Sequence, residues 1–286
     1  MPQTYSIYKM AATELSWKTS DGINIYGKKW ETTMPIKAVI CVMHGMGEHI
    51  NRYEHVAEMF NKNGYAVIGC DQRGHGKSGG LRGHFPDFET FLNDVDELLK
   101  VASEHFPGTK KILYGHSMGG NLVANYLLRR QPKIAGAILS SPYFQLAFQP
   151  SKTTLFIGRL MKGIFPALSL SSGLDSSAIS RDTDVVKKYN EDPLVHDKVS
   201  AKMGIEMIET GEWAIGNAEK LNIPTLVYHG TADRLTSFEG SKAFAKKAGK
   251  LVTFVPFEEL FHETHNEPEK EEVFKVVINW CNKTIA

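Results

Sequence analysis

Two kinds of hydrophobic pattern alternate along most of this chain. Residues 12–31 alternate polar and apolar around Asp21-Gly22, which predicts a hairpin. Residues 37–43, Lys-Ala-Val-Ile-Cys-Val-Met, form a continuous β-branched run, as expected of a strand buried on both faces of a sheet. His44-Gly45-Met46-Gly47 ends it, and a helical stretch follows to about Asn63. Tyr65 to Cys70 is a second buried strand, closed by the loop Asp71-Gln72-Arg73-Gly74-His75-Gly76. The spacing of Phe88, Phe91, Leu92, Val95, Leu98 and Leu99 predicts a helix over 87–105. The pattern then predicts a strand over 111–115, a helix over 118–130 and a strand from Ile134 to Leu139. Further on come a strand from Thr225 to Tyr228, a helix over 237–247, a strand from Leu251 to Val255 and a helix over about 269–283. Strand and helix in this alternation predict an α/β fold with a mostly parallel central sheet and helices on both faces.

Residues 142–220 break the rhythm. They hold helical stretches and Ser/Gly-rich joints from Ser169 to Ser177, with no buried strand. The expected organisation is a core of residues 1–141 and 221–286, with 142–220 inserted late in the sheet as a helical cap. Placed on a helical wheel, Phe156, Ile157, Leu160, Met161, Ile164, Phe165 and Leu168 share one half, and Lys152, Arg159 and Lys162 the other. Leu155 is the exception. Such a helix either lies at a membrane interface or packs its apolar face over a binding site.

Composition narrows the class. The 286 residues are 42% apolar and 23% charged, ordinary for a globular chain long enough to bury a large core. A net charge of +1 supplies no field for nucleic acid, so none is expected as partner. Cys41, Cys70 and Cys281 lie in apolar runs without metal-ligand spacing, and are read as small buried hydrophobes in a reducing compartment. The first residues hold no apolar signal region, and no run of 18 apolar residues exists. A cytoplasmic location, peripheral to membrane, is expected.

The chemistry is concentrated at Gly115-His116-Ser117-Met118-Gly119-Gly120, between a strand and a helix. A turn this tight needs glycine beside the serine, and it raises the hydroxyl at the helix N-terminus, where N–H groups favour developing negative charge. A serine hydroxyl needs a base, and the base needs a carboxylate to hold its tautomer. Asp233 sits in His229-Gly230-Thr231-Ala232-Asp233-Arg234, just past a strand end, where ligand sites of such sheets lie. The base comes from Phe261-His262-Glu263-Thr264-His265, and residue types alone do not separate the two histidines. Acyl transfer also needs N–H donors for the oxyanion, each worth on the order of 3 kcal/mol. Met118, following the serine, and Met46, in the glycine-rich loop, are the expected donors.

Together these elements resemble the monoacylglycerol lipases and related lysophospholipases. The resemblance rests on His-Gly-Met-Gly-Glu-His at 44–49 with Arg52-Tyr53, on Asp71-Gln72-Arg73-Gly74-His75-Gly76-Lys77-Ser78, and on Gly-His-Ser-Met-Gly-Gly at 115–120. It continues through Ser141-Pro142, His229 to Leu235, and Phe261-His262, in order over nearly the whole chain. It implies the α/β-hydrolase fold, with Ser117 as nucleophile, Asp233 as acid and His262 as base. It also implies glycerol-headgroup contacts from Glu48, Arg52, Tyr189 and His265. Against these stand an i,i+4 pair of Glu48 with Arg52 and a packing role for Tyr189.

The implied reaction is hydrolysis of a single-chain lipid ester, without cofactor or metal, with transient membrane contact through the cap and no obligate protein partner. A broad carboxylesterase, a lysophospholipase and a ligand receptor on a hydrolase scaffold are the rivals. Haloalkane and epoxide hydrolases place an aspartate where this chain has Ser117.

Overall fold

A computed structural model describes residues 11–286. Residues 1–10, read above as lacking a secretory signal and as part of the core, lie outside the described residues. The first hairpin pairs β1 (Ala11–Lys18) with β2 (Asn24–Glu31), antiparallel, and turns at Gly22 with φ of 87°. The buried runs then become β3 (Ala38–Met43), β4 (Tyr65–Cys70), β5 (Lys111–His116) and β6 (Gly136–Ser140). Between them lie α1 (Glu54–Lys62), α2 (Phe88–His105) and α3 (Met118–Arg130). After β6 come α4 (Lys152–Ile164), β7 (Ser169–Ser171), α5 (Thr183–Glu191), β8 (Lys198–Ser200) and α6 (Ala201–Gly216). The chain closes with β9 (Thr225–Gly230), α7 (Phe238–Ala248), β10 (Val252–Phe257) and α8 (Lys270–Ile285).

Eight strands form one sheet in the order β1-β2-β4-β3-β5-β6-β9-β10, parallel from β4 to β10. Side chains alternate between its two faces, so one strand feeds two cores. Val39, Cys41 and Met43 join the cluster containing Leu98, Leu122 and Phe244 of α2, α3 and α7. Ala38, Ile40 and Val42 join the cluster containing Phe60 of α1 and Trp280 of α8. All three cysteines are buried and free.

Three details differ from the pattern reading. β6 starts at Gly136, because its ladder to β5 begins where Ala135 N–H donates to Lys111 O. The helical stretch after Gly47 opens with a single 3-10 turn, Ile50–Tyr53, and Ile50 N–H donates to Asp71 Oδ1 at 2.7 Å. The third lies in residues 142–220, where β7 and β8 pair antiparallel apart from the main sheet. Each is three residues long with a single apolar residue, Ser-Leu-Ser in β7 and Lys-Val-Ser in β8, so neither produces an apolar run.

The segment between β6 and β9 is fastened to the rest at several points. Met203, Met207 and Ala214 of α6 share the core cluster of α3. His196 N–H donates to Gly47 O, and Ser200 N–H to Gly83 O. Gly83 has φ of 63°, and a Cβ there would lie 1.9 Å from Lys198 O, so only glycine admits this approach.

Candidate active site

The β5–α3 turn puts Ser117 at φ 52°, ψ −115°, a left-handed backbone rarely held by a residue with a side chain. The neighbours make it possible. A Cβ on Gly115 would lie 2.3 Å from Gly119 O, and one on Gly119 would lie 2.1 Å from Met43 O. Ser117 N–H donates to Ser140 O, and Ser117 O accepts from Asn121 and Tyr143 N–H. These bonds hold the strained residue between sheet and helix.

Asp233 lies in the loop after β9 with its side chain fully buried. Its Oδ1 accepts from the N–H groups of Leu235 (2.7 Å) and Thr236 (3.0 Å). Its Oδ2 accepts from His262 Nδ1 (2.7 Å), His229 Nε2 (2.9 Å) and Thr236 Oγ1 (2.9 Å). Because a carboxylate only accepts, His262 carries its proton on Nδ1 and presents Nε2 as a base. Burial disfavours the His262 cation, but the charge and hydrogen bond of Asp233 outweigh it and raise the pKa above 6.5. Burial likewise opposes the Asp233 carboxylate, yet the His262 charge and the donated hydrogen bonds hold its pKa below the usual range.

Ser117 and His262 line one cavity of about 710 Å³, as do Gly45, Met46, Glu48 and Tyr189. Much of the remaining wall is apolar, including Leu146, Leu155, Met161, Ile205 and Ile208. Met118 and Asp233 do not reach the cavity wall, and Met118 has its side chain in the core. Among the described residues no group of three or more His, Cys, Asp or Glu is placed to hold a metal ion.

Of the four residues expected at the headgroup, two line the cavity and two stand behind it. Glu48 accepts from Gly45 N–H (2.6 Å), Tyr53 Oη (2.7 Å) and Arg52 Nη1 (2.5 Å), so the i,i+4 pair exists. Arg52 also grips Glu263 through two bonds of 2.7 Å and lies over the Tyr189 ring, 4.8 Å from its centroid. Its guanidinium is occupied by protein carboxylates and does not line the cavity. His265 is buried, with its ring stacked on Tyr53 and edge-on to His116, and neither ring nitrogen has a hydrogen-bond partner. It too is absent from the cavity wall. Burial lowers its pKa to about 3, so it is neutral. Glu263, unnoticed in the sequence beside His262, is a buried carboxylate. Burial opposes its charge, but Arg52 holds its pKa down to about 2. Burial raises the pKa of Glu48, against the pull of Arg52.

The helix α4 has no buried residue, and its two halves divide their work. Leu155, the exception on the wheel, faces the cavity with Gly158 and Met161. Phe156 is 69% exposed and Phe165, just past the helix end, 60%, with Ile157, Leu160 and Ile164 also open. On the other half Arg159 pairs with Glu209, and Lys162 with Glu206 and Glu209, of α6. No helix among the described residues is long and apolar enough to cross a membrane.

Comparison with known proteins follows the same lines. Residues 34–269 match the family model described as Serine aminopeptidase, S33. The chain is 33% identical over 270 residues to a monoacylglycerol lipase of Mycolicibacterium smegmatis, covering 94% of this chain and 96% of that one. It is 35% identical over 270 residues, 93% of its length, to an uncharacterized abhydrolase domain-containing protein of Dictyostelium discoideum, of which it spans 28%. Among solved structures, the monoacylglycerol lipase of Paleococcus ferrophilus superposes with a TM-score of 0.84 at 35% identity, covering 91% of this chain and 99% of that one.

Proposed function

The chain belongs to the serine aminopeptidase S33 family of α/β-hydrolases, and from that membership we propose that it cleaves monoacylglycerol to fatty acid and glycerol. The observation that carries this reading is that His262, held from behind by Asp233, lines a largely apolar cavity together with Ser117. Ser117 Oγ attacks the ester carbonyl while His262 Nε2 takes its proton and Asp233 stabilises the imidazolium. The N–H groups of Met46 and Met118 hold the oxyanion. The imidazolium returns the proton to glycerol as it leaves. Water, deprotonated by the same histidine, then releases the fatty acid and restores Ser117.

Residues 142–220 act as the cap over a core of 1–141 and 221–286. The acyl chain lies along Leu155, Met161 and Ile205, and the headgroup meets Glu48 and Tyr189, held in place by Arg52. The outward apolar face of α4 rests on the membrane that holds the substrate. This contact is mainly apolar, since two of the three basic residues on the other half, Arg159 and Lys162, are already paired with glutamates.

The reading is tested by reaction with a fluorophosphonate followed by peptide mass mapping. One phosphonyl group on Ser117, absent in Ser117→Ala, is expected. Labelling at another residue, or none, would overturn the assignment.

A further inference from the structure

His229 is the last side chain of β9 before its closing glycine, fully buried, and absent from the cavity wall. A buried histidine on a strand ordinarily needs only some partner for each nitrogen. Here both partners are specific. Nε2 meets Asp233 Oδ2 at 2.9 Å, on the oxygen that also accepts from His262. Nδ1 meets Ser241 Oγ of α7 at 2.8 Å. Since the carboxylate can only accept, Nε2 must carry the hydrogen, and Nδ1 is left to accept from the Ser241 hydroxyl. The result is one polarised line, Ser241 to His229 to Asp233, meeting His262 at a single oxygen.

We propose that His229 is a positioning residue for the reaction above: locked in its Nε2–H tautomer by Ser241, it aims Asp233 Oδ2 and moderates that oxygen's grip on the His262 cation. The inference rests on the proposed triad. Backbone N–H groups of Leu235 and Thr236 anchor only Oδ1, so the direction of Oδ2 depends on side chains. Thr236 Oγ1 is a weaker guide because it is shared, lying 3.2 Å from His262 Nδ1 and 3.2 Å from Ser141 O as well. Without the His229 donor, Oδ2 becomes a stronger acceptor for His262. The imidazolium is then overstabilised, and the acid limb of kcat/KM moves to higher pH. The other groups facing His262 are Thr236, Glu48, Glu263, His116 and His265, and those facing His229 are Thr236, Ser241 and the edge of Phe238. None of them is altered by the substitutions below.

The test compares His229→Gln with His229→Asn. The Gln amide nitrogen reaches the place of Nε2 and keeps the donor, whereas the Asn amide reaches only the place of Nδ1. Both are neutral and polar, so they cost the fold similarly, and thermal melting verifies this. The Asn variant should lose kcat about tenfold or more with KM unchanged. Its acid limb should rise by about half to one pH unit. The Gln variant should stay near wild type in both. Equal behaviour of the two variants, or an unmoved acid limb in Asn, would overturn the role of His229. Ser117→Ala runs beside them. Activity persisting there would overturn the triad and this role together, whereas activity lost there leaves the Gln and Asn comparison to decide His229 alone.

Discussion

Replacing Arg52 by Met exposes the energetics beneath the catalytic loops. Arg52 is the counter-charge for two buried carboxylates, Glu48 in the loop after β3 and Glu263 beside His262. Methionine keeps most of the side-chain volume but leaves both acids unpaired. Breaking a buried ion pair from one side costs about 3–5 kcal/mol, because the orphaned charge remains. For a chain of this size, about 2 °C of melting temperature is lost per kcal/mol, so a fall of about 6–10 °C is expected. The sign of its pH dependence is also fixed. With Arg52 gone, burial is no longer offset: the Glu263 pKa climbs from about 2 and the already raised Glu48 pKa climbs further, so the folded variant binds protons that the unfolded chain does not. The deficit against wild type should therefore shrink as pH falls from about 8 to about 5. Urea denaturation of both proteins at the two pH values measures this. Adding Glu263→Gln should recover part of the loss. A deficit under about 1 kcal/mol, or one equal at both pH values, would refute the claim that Arg52 holds two charged partners.

Acid should weaken the native protein through its buried neutral histidines. Burial lowers His75 and His265 to about 3, so their contribution is full above 6.5 and is lost as pH falls towards 3. Each loses about 1.4 kcal/mol per pH unit within that window. His265→Phe keeps the ring stack and should flatten the denaturation profile by one proton, and an unchanged slope would contradict the assignment. Gly119→Ala should cut kcat about a hundredfold, since its Cβ would displace the elbow against Met43 O, and near-normal turnover would contradict the packing. Phe156→Glu with Leu160→Glu should abolish sedimentation with phosphatidylcholine vesicles. Wild-type binding should be indifferent to salt and to anionic lipid, and a requirement for anionic lipid would contradict an apolar contact.

The sheet was readable because β3 and β4 lie between two cores and carry apolar residues at nearly every position. β7 and β8 were not, because strands of three residues with one apolar side chain each leave no hydrophobic trace. The elbow was readable from its glycines, of which Gly115 and Gly119 are each explained by a close backbone oxygen. The choice between His262 and His265 was not, since it depends on which ring meets Asp233, a residue some thirty positions earlier. Glu48 and Arg52 were visible as a helical pair, but their third partner, Glu263, lies 211 positions away. That distant carboxylate makes Arg52 the shared counter-charge of two buried acids. His229 stands at the head of His229-Gly230-Thr231-Ala232-Asp233-Arg234, yet its bond to Asp233 needs the turn after β9 to fold back on itself.

The central claim is tested most directly by fatty-acid release from a long-chain monoacylglycerol, measured beside a lysophospholipid and a short-chain ester, for the wild type and Ser117→Ala. The account predicts fastest turnover of the long-chain monoacylglycerol and none in the variant. Preference for the short ester or the lysophospholipid would contradict the proposed substrate, and undiminished release by Ser117→Ala would contradict the site itself.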